Sequence, residues 1–268
     1  MSDAVDRSWI EWARPIVRIR DDSPEHFAWC ERKLGADRYT DLDPTLRWPC
    51  YVGGNWEVGK GVLFIGSVHS DFRGIGDRAD REPIVHAMAE SNARWRDLDS
   101  PTREDDNEYL TCTRRAYESL LPFWPRADLF RDLLTTVFGD GGHPFSHAAW
   151  TNLAHCRSKP KAIREYSIQL QCSSERGVYP ISDLIRRLWP AAILISIKPV
   201  ETTYPHRYDF QATKYQEQMP AGYVGPIVRV FPGMLDPDWN GQPSDVWIPQ
   251  LAASLQRGRH DRRAQPPW

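Results

Sequence analysis

The chain has 268 residues, 26% of them charged, with a formal net charge of −2, the balance of one large folded domain or two small ones. That balance excludes a strongly basic polyanion binder, which counts against extended duplex binding and leaves room for a local basic groove. No segment reaches the unbroken apolar length that spans a bilayer. The amino terminus MSDAVDRSWIEWARP has no apolar secretion core, and five widely spaced cysteines make a poor disulfide framework, so a cytoplasmic monomer is expected.

In chain order, residues 1–44 are mixed and charged, with a helix predicted around residues 24–34, and are expected to form a helical extension packed on the core. Four apolar runs then read as strands: Gly61–Gly66, Ala148–Leu153, Ala191–Ile197 and Pro226–Phe231. Three of them are nearly continuous, as in strands buried on both faces of a parallel sheet. Helical patterns fall between and after them, over Glu108–Leu121, Arg126–Phe138, Pro180–Leu188 and Val246–Leu255. Strands alternating with helices predict an α/β layered sheet, whose ligands sit at the carboxyl ends of the strands. The basic stretch 257–268 is expected to be a mobile tail. The twelve tryptophans suit base stacking as well as a core, and core is the default reading.

The strand ends carry the chemistry. Asn152 offers a carboxamide, a donor and an acceptor side by side, which matches one edge of a nucleobase; turned by half, it matches uracil or cytosine equally. A strand-end asparagine also caps turns. The loop after the first strand supplies His69 and Asp71: Asp71 to polarise water or steady a sugar cation, His69 to hydrogen-bond the substrate. A solvated turn is the plain alternative for both. Phe72 is the nearest stacking candidate. Lys198 at the third strand end, with Lys159, Lys161 and Arg164 after Asn152, are candidates to meet phosphates. Cys156 and Cys172 are separated by fifteen residues, and Cys30 with Cys50 form the remaining pair; buried thiols are the alternative to a metal cluster. Cys112, inside a helical pattern, reads as a core cysteine. His143, His147, His155 and Cys156 raise a zinc site, but Pro144 interrupts the i,i+4 histidine pair, so loop histidines are expected.

Order and spacing of these segments resemble the uracil-DNA glycosylase superfamily, most closely its iron–sulfur class. Thr151-Asn152-Leu153-Ala154-His155-Cys156-Arg157 matches that class's T-N-x-x-K-C-R at all but the lysine. Pro190 to Ser196 matches P-x-x-I-x-x-x-G except for the glycine, and Phe231-Pro232-Gly233 stands where an H-P-S or H-P-A loop is usual. The resemblance covers roughly residues 45–256. It implies a three-layer αβα sandwich around a central, mainly parallel four-stranded sheet. It also implies hydrolysis of an N-glycosidic bond on a base flipped out of DNA. Asn152, Gly66, Ser67, Phe72 and Lys198 would then bind substrate, and Pro232, Gly233, Met234 and Leu235 would meet DNA with Lys159 and Lys161, Met234 or Leu235 wedging into the duplex gap. One 4Fe-4S cluster on Cys30, Cys50, Cys156 and Cys172 is implied too.

Three departures shape the expectation. Ser67 stands where the family has an acid, the last loop lacks its histidine, and no C-x-x-C precedes residue 50. A retuned pocket points away from simple uracil toward a modified or damaged pyrimidine, in DNA repair or in defence against phage with altered bases. Two rival readings stand: an inactive member that binds nucleic acid without cutting, and a hydrolase releasing bases from free nucleosides or nucleotides.

Overall fold

A computed structural model describes residues 6–14, 50–68, 82–121, 127–139, 142–154, 181–196, 223, 225, 227–230 and 244–258. These residues form an α/β fold. The strands are β1 (Tyr51–Val52), β2 (Val62–Val68), β3 (Ala148–Ala154), β4 (Ala192–Ser196) and β5 (Ile227–Val230). The helices are α1 (Glu82–Arg96), α2 (Arg103–Leu120), α3 (Ala127–Phe138), α4 (Ile181–Leu188) and α5 (Ser244–Gly258). Residues 6–14 form a further helical segment.

The sheet has five strands in the order β1-β3-β2-β4-β5. This corrects the expected mainly parallel four-stranded sheet: it is mixed, because the two-residue β1 runs antiparallel to β3 at the edge. The four anticipated strands pair in parallel with one another. β1 escaped notice because two residues show no periodicity. Its approach to the turn before β3 needs a glycine: a Cβ on Gly53 would stand 2.2 Å from the Ser146 carbonyl oxygen.

Alternation along the strands divides the core in two. Val62 and Phe64, in register with Ala148 and Trp150 on one side and Ala192 and Leu194 on the other, enter one buried cluster. Met88 of α1, Ala116, Tyr117 and Leu120 of α2, Phe130, Leu133 and Leu134 of α3, and Leu251 and Leu255 of α5 complete it. The intervening Leu63, Ile65, Ala149 and Ile193 are fully buried as well, so both faces of the sheet are covered. Leu184, Ile185 and Leu188 of α4 are buried outside the first cluster. Trp9, Trp12, Trp56, Trp95, Trp150 and Trp189 are all buried, as the core reading of the tryptophans expects.

Two helices show how composition misleads. α1 (EPIVHAMAESNARWR) buries few side chains and carries no strong apolar stripe, so it was not anticipated. α2 starts five residues earlier than its apolar pattern suggests, because a polar cap sets its origin. Thr102 accepts from the Asp105 N–H, while the Asp105 carboxylate accepts from the Thr102 N–H at 2.8 Å, a capping box. Hydrogen bonds from Thr102 hold the Asp105 carboxyl below its usual range. A depressed folded-state value stabilises the fold above the unfolded carboxylate range and loses that contribution as pH falls through the folded value. We expect Thr102→Ala to lower stability by about 1 kcal/mol at neutral pH. Urea denaturation in mild acid should show the difference between variant and wild type shrinking; a gap that widens on acidification would contradict this account.

Trp189 follows α4 with φ of 40°, a left-handed conformation that is strained for a bulky side chain. Its N–H donates to the Ile185 carbonyl at 2.7 Å and its carbonyl accepts from Gly59 at 2.7 Å, which closes the helix end against the turn before β2. Among the described residues, no helix is long and apolar enough to cross a membrane.

Candidate functional site

Strand order identifies a topological switch point, where α/β sheets generally take their ligands. β2 sits between β3 and β4, so the chain leaves β2 toward one side and, after β3, crosses to the other. Neighbouring parallel strands whose connections depart in opposite directions leave a crevice at their carboxyl ends. Here those strands are β2 and β4, with Ile65 opposite Ile195 as the last paired residues. Gly66 and Ser67 lie at the end of β2 and Ser196 at the end of β4.

Asn152 lies on β3, directly opposite Gly66 in the ladder. The sequence-derived candidates Gly66, Ser67 and Asn152 thus share the carboxyl end of two central strands. His69, Asp71 and Phe72 follow β2 in sequence, Lys159, Lys161 and Arg164 follow β3, and Lys198 follows β4, all outside the described residues. Pro232, Gly233, Met234 and Leu235, after β5, lie outside them too, as do Cys30, His155, Cys156 and Cys172.

The base of this end is aromatic, a feature that residue-by-residue reading missed. Phe64 and Trp150, each two residues before Gly66 and Asn152, stack with centroids 5.5 Å apart. Phe130 of α3 meets Phe64 at 4.4 Å and the Trp150 ring edge-on at 5.7 Å. All three are almost fully buried. Alternation alone would have paired the two strand aromatics had the register been known, but register is a tertiary property.

Cys50 is the one proposed cluster ligand within the described residues. It immediately precedes β1, and extending the Tyr51–Trp150 pairing by one step sets it beside Thr151. β3 therefore runs past Cys50 and ends at Ala154, two residues before Cys156 in the sequence. The Cys50 side chain is fully buried and its Sγ donates to the Tyr51 carbonyl at 3.2 Å. Burial pushes the thiol well above its ordinary value, against a smaller opposing effect of Trp9. Cys50 on its own is a neutral thiol, and ligation requires a metal's charge to displace the proton. Among the described residues no group of three or more His, Cys, Asp or Glu is arranged to hold a metal. His143 precedes a 3-10 turn (Pro144–His147) rather than sharing a helix face with His147, and the His147 ring stacks on Phe138 at 4.2 Å.

Beside β1 lies a buried polar group. The Tyr51 hydroxyl donates to the Phe145 carbonyl at 3.1 Å and meets Glu118 at 3.2 Å. Burial, then the Glu118 charge, push that hydroxyl far above the ordinary tyrosine value, so it stays a donor. Two surface grooves, of about 480 and 800 Å³, run along α1 and α2, and no strand-end residue lines them. Cys112 lines both grooves and is half-buried, which corrects its reading as a core cysteine: it faces the seam between the helices.

Fold and strand ends together define an α/β protein with a topological switch point between β2 and β4. No protein-family model matches the chain, and no curated protein and no solved structure shows significant similarity to it.

Proposed function

We propose that the chain is a monofunctional DNA glycosylase that releases a flipped, modified or damaged pyrimidine and leaves an abasic site. The observation that carries this reading is the register pair Gly66 and Asn152 at the carboxyl ends of β2 and β3, next to the β2–β4 switch point. A base-reading amide belongs at that position, because a heterocycle entering at the strand ends meets the β2 and β3 termini together. The three-layer sandwich of the resembling family is the fold that goes with this proposal.

In this mechanism the Asn152 carboxamide grips the edge of the everted base, and the main chain around Gly66 and Ser67 approaches it closely. The glycosidic bond breaks with cationic character on the sugar while the departing base gathers negative charge. Asp71 steadies the sugar and orients water, and His69 donates to the base or substrate. Phe72 stacks on the base, Lys159, Lys161 and Lys198 hold phosphates, and the Pro232–Leu235 loop fills the gap in the duplex. Ser67 in place of an acid, with no histidine in the last loop, suits a pyrimidine other than plain uracil.

The test is incubation with oligonucleotides holding uracil, hypoxanthine or modified cytosines, followed by alkali. Strand breaks at one base are the expected result; no break with any of them removes the reading. The free-nucleoside alternative is favoured by the same switch point, where small nucleotides commonly bind, and predicts faster turnover of the modified nucleoside than of that base in DNA.

A 4Fe-4S cluster on Cys30, Cys50, Cys156 and Cys172 belongs to the same proposal, supported by the position of Cys50 alongside β3, the strand that precedes Cys156 in the sequence. Anaerobically purified protein should then carry four irons per chain and absorb at about 400 nm. Colourless, iron-free protein with full activity would dispose of the cluster and leave the base-reading amide intact.

A further inference from the structure

The chemistry above gives no part to the last residue of β4. β2 and β4 pair in register as far as Ile65 and Ile195, and one further step sets Gly66 beside Ser196. Gly66 also pairs with Asn152 on β3, and Ser196 with Val230 on β5. Asn152, Gly66 and Ser196 therefore stand in one row across three parallel strands. Residues of one row share a face of the sheet, and the row two residues earlier is Trp150, Phe64 and Leu194. Those three lie in one buried cluster, so Asn152, Gly66 and Ser196 belong to the face of that cluster, two residues beyond the Phe64–Trp150 stack. The row reads carboxamide, no side chain, hydroxyl.

We propose that Ser196 is a second base-contacting residue, meeting the edge of the heterocycle opposite the one that Asn152 reads, with the empty column of Gly66 between them. This role rests on the base-reading amide of the proposed function and adds a limit on the size of the base. Strand side chains stand roughly perpendicular to the sheet and neighbouring strands lie about 4.8 Å apart, so the two outer columns are roughly 9.5 Å apart. A hydrogen bond of about 2.9 Å on each side leaves roughly 4 Å between them, the width of one six-membered ring and short of a fused pair. A methyl group on residue 66 would occupy that gap. A hydroxyl suits the second edge because it turns to donate or to accept, and so serves either orientation of the Asn152 amide.

The experiment titrates free uracil, cytosine, hydroxymethylcytosine and hypoxanthine into the full chain and follows backbone amide shifts by NMR. At least one of the pyrimidines should move the amides of Gly66, Asn152 and Ser196 together, and hypoxanthine should bind more weakly. Ser196→Ala should weaken that pyrimidine's binding by about three- to tenfold, the effect of one hydrogen bond. Ser196→Thr, which restores the hydroxyl, should recover most of the loss, and Gly66→Ala should weaken binding further than Ser196→Ala does. Equal affinity of wild type and Ser196→Ala, with Asn152→Ala impaired, overturns the role of Ser196 and leaves Asn152 as the base reader. Hypoxanthine bound as tightly as the pyrimidines overturns the single-ring gap. If no base moves any of these amides, the roles of Ser196 and Asn152 fall together.

Discussion

Asn152→Ala should slow base release by about a hundred- to a thousandfold, equivalent to roughly 2.7–4 kcal/mol of transition-state stabilisation, the usual effect of deleting one preorganised donor. In the proposed mechanism the charge on the leaving base develops where the amide donates, and a bare methyl cannot answer it. Asn152→Asp should be at least as damaging, because a carboxylate accepts only and repels an anionic base. Neither change should unfold the protein, since the main chain of Asn152 pairs with β2 whatever its side chain. The readout is the rate of alkali-sensitive strand breakage with melting temperature measured alongside. Unchanged breakage in Asn152→Ala would leave the base-reading role without support, even if the enzyme proves to be a glycosylase.

Trp150→Ala should remove about 3–5 kcal/mol of stability, the range for excising a large buried aromatic. Trp150 touches both Phe64 and Phe130, so its loss opens a cavity that two rigid rings cannot collapse to fill. For a chain of this size the expected fall in melting temperature is roughly 6–20 °C. Trp150→Phe should fall well short of that, because a ring still meets Phe64. A shift under about 2 °C for the alanine variant would show that the trio contributes little packing. Trp150 is two residues before Asn152, so base release should also slow at temperatures where the variant is still folded. A variant that melts early yet releases base at the full rate would separate the aromatic base from the site.

Much of the architecture was legible from the residues. Long apolar runs announced β2, β3, β4 and β5 within two residues of their ends, because a strand buried on both faces needs apolar side chains in both directions. α3, α4 and α5 were likewise visible from their apolar spacing. α1 and β1 were not, and within the expected helical extension the helix at 6–14 was not located. α1 is amphipathic only weakly. β1 is too short for any pattern, and residues 6–14 become a helix with a buried tryptophan only because α2, α4 and the sheet edge receive it.

For the site, the sequence alone determined which side chains have suitable chemistry: a carboxamide at Asn152, an acid at Asp71, an imidazole at His69, thiols at Cys50 and Cys156. It also pointed to the strand ends, where α/β sheets generally take ligands, and Gly66, Ser67 and Asn152 lie there, whereas His69, Asp71 and Cys156 fall outside the described residues. What only the tertiary structure decided was adjacency. The order β3-β2-β4 set the topological switch point between β2 and β4, the register placed Gly66 opposite Asn152, and the antiparallel edge strand brought Cys50 alongside β3. Periodicity along a chain reports which face of an element is buried, whereas the pairing of β2 with β3 depends on contacts across more than eighty residues of sequence, which no local pattern encodes.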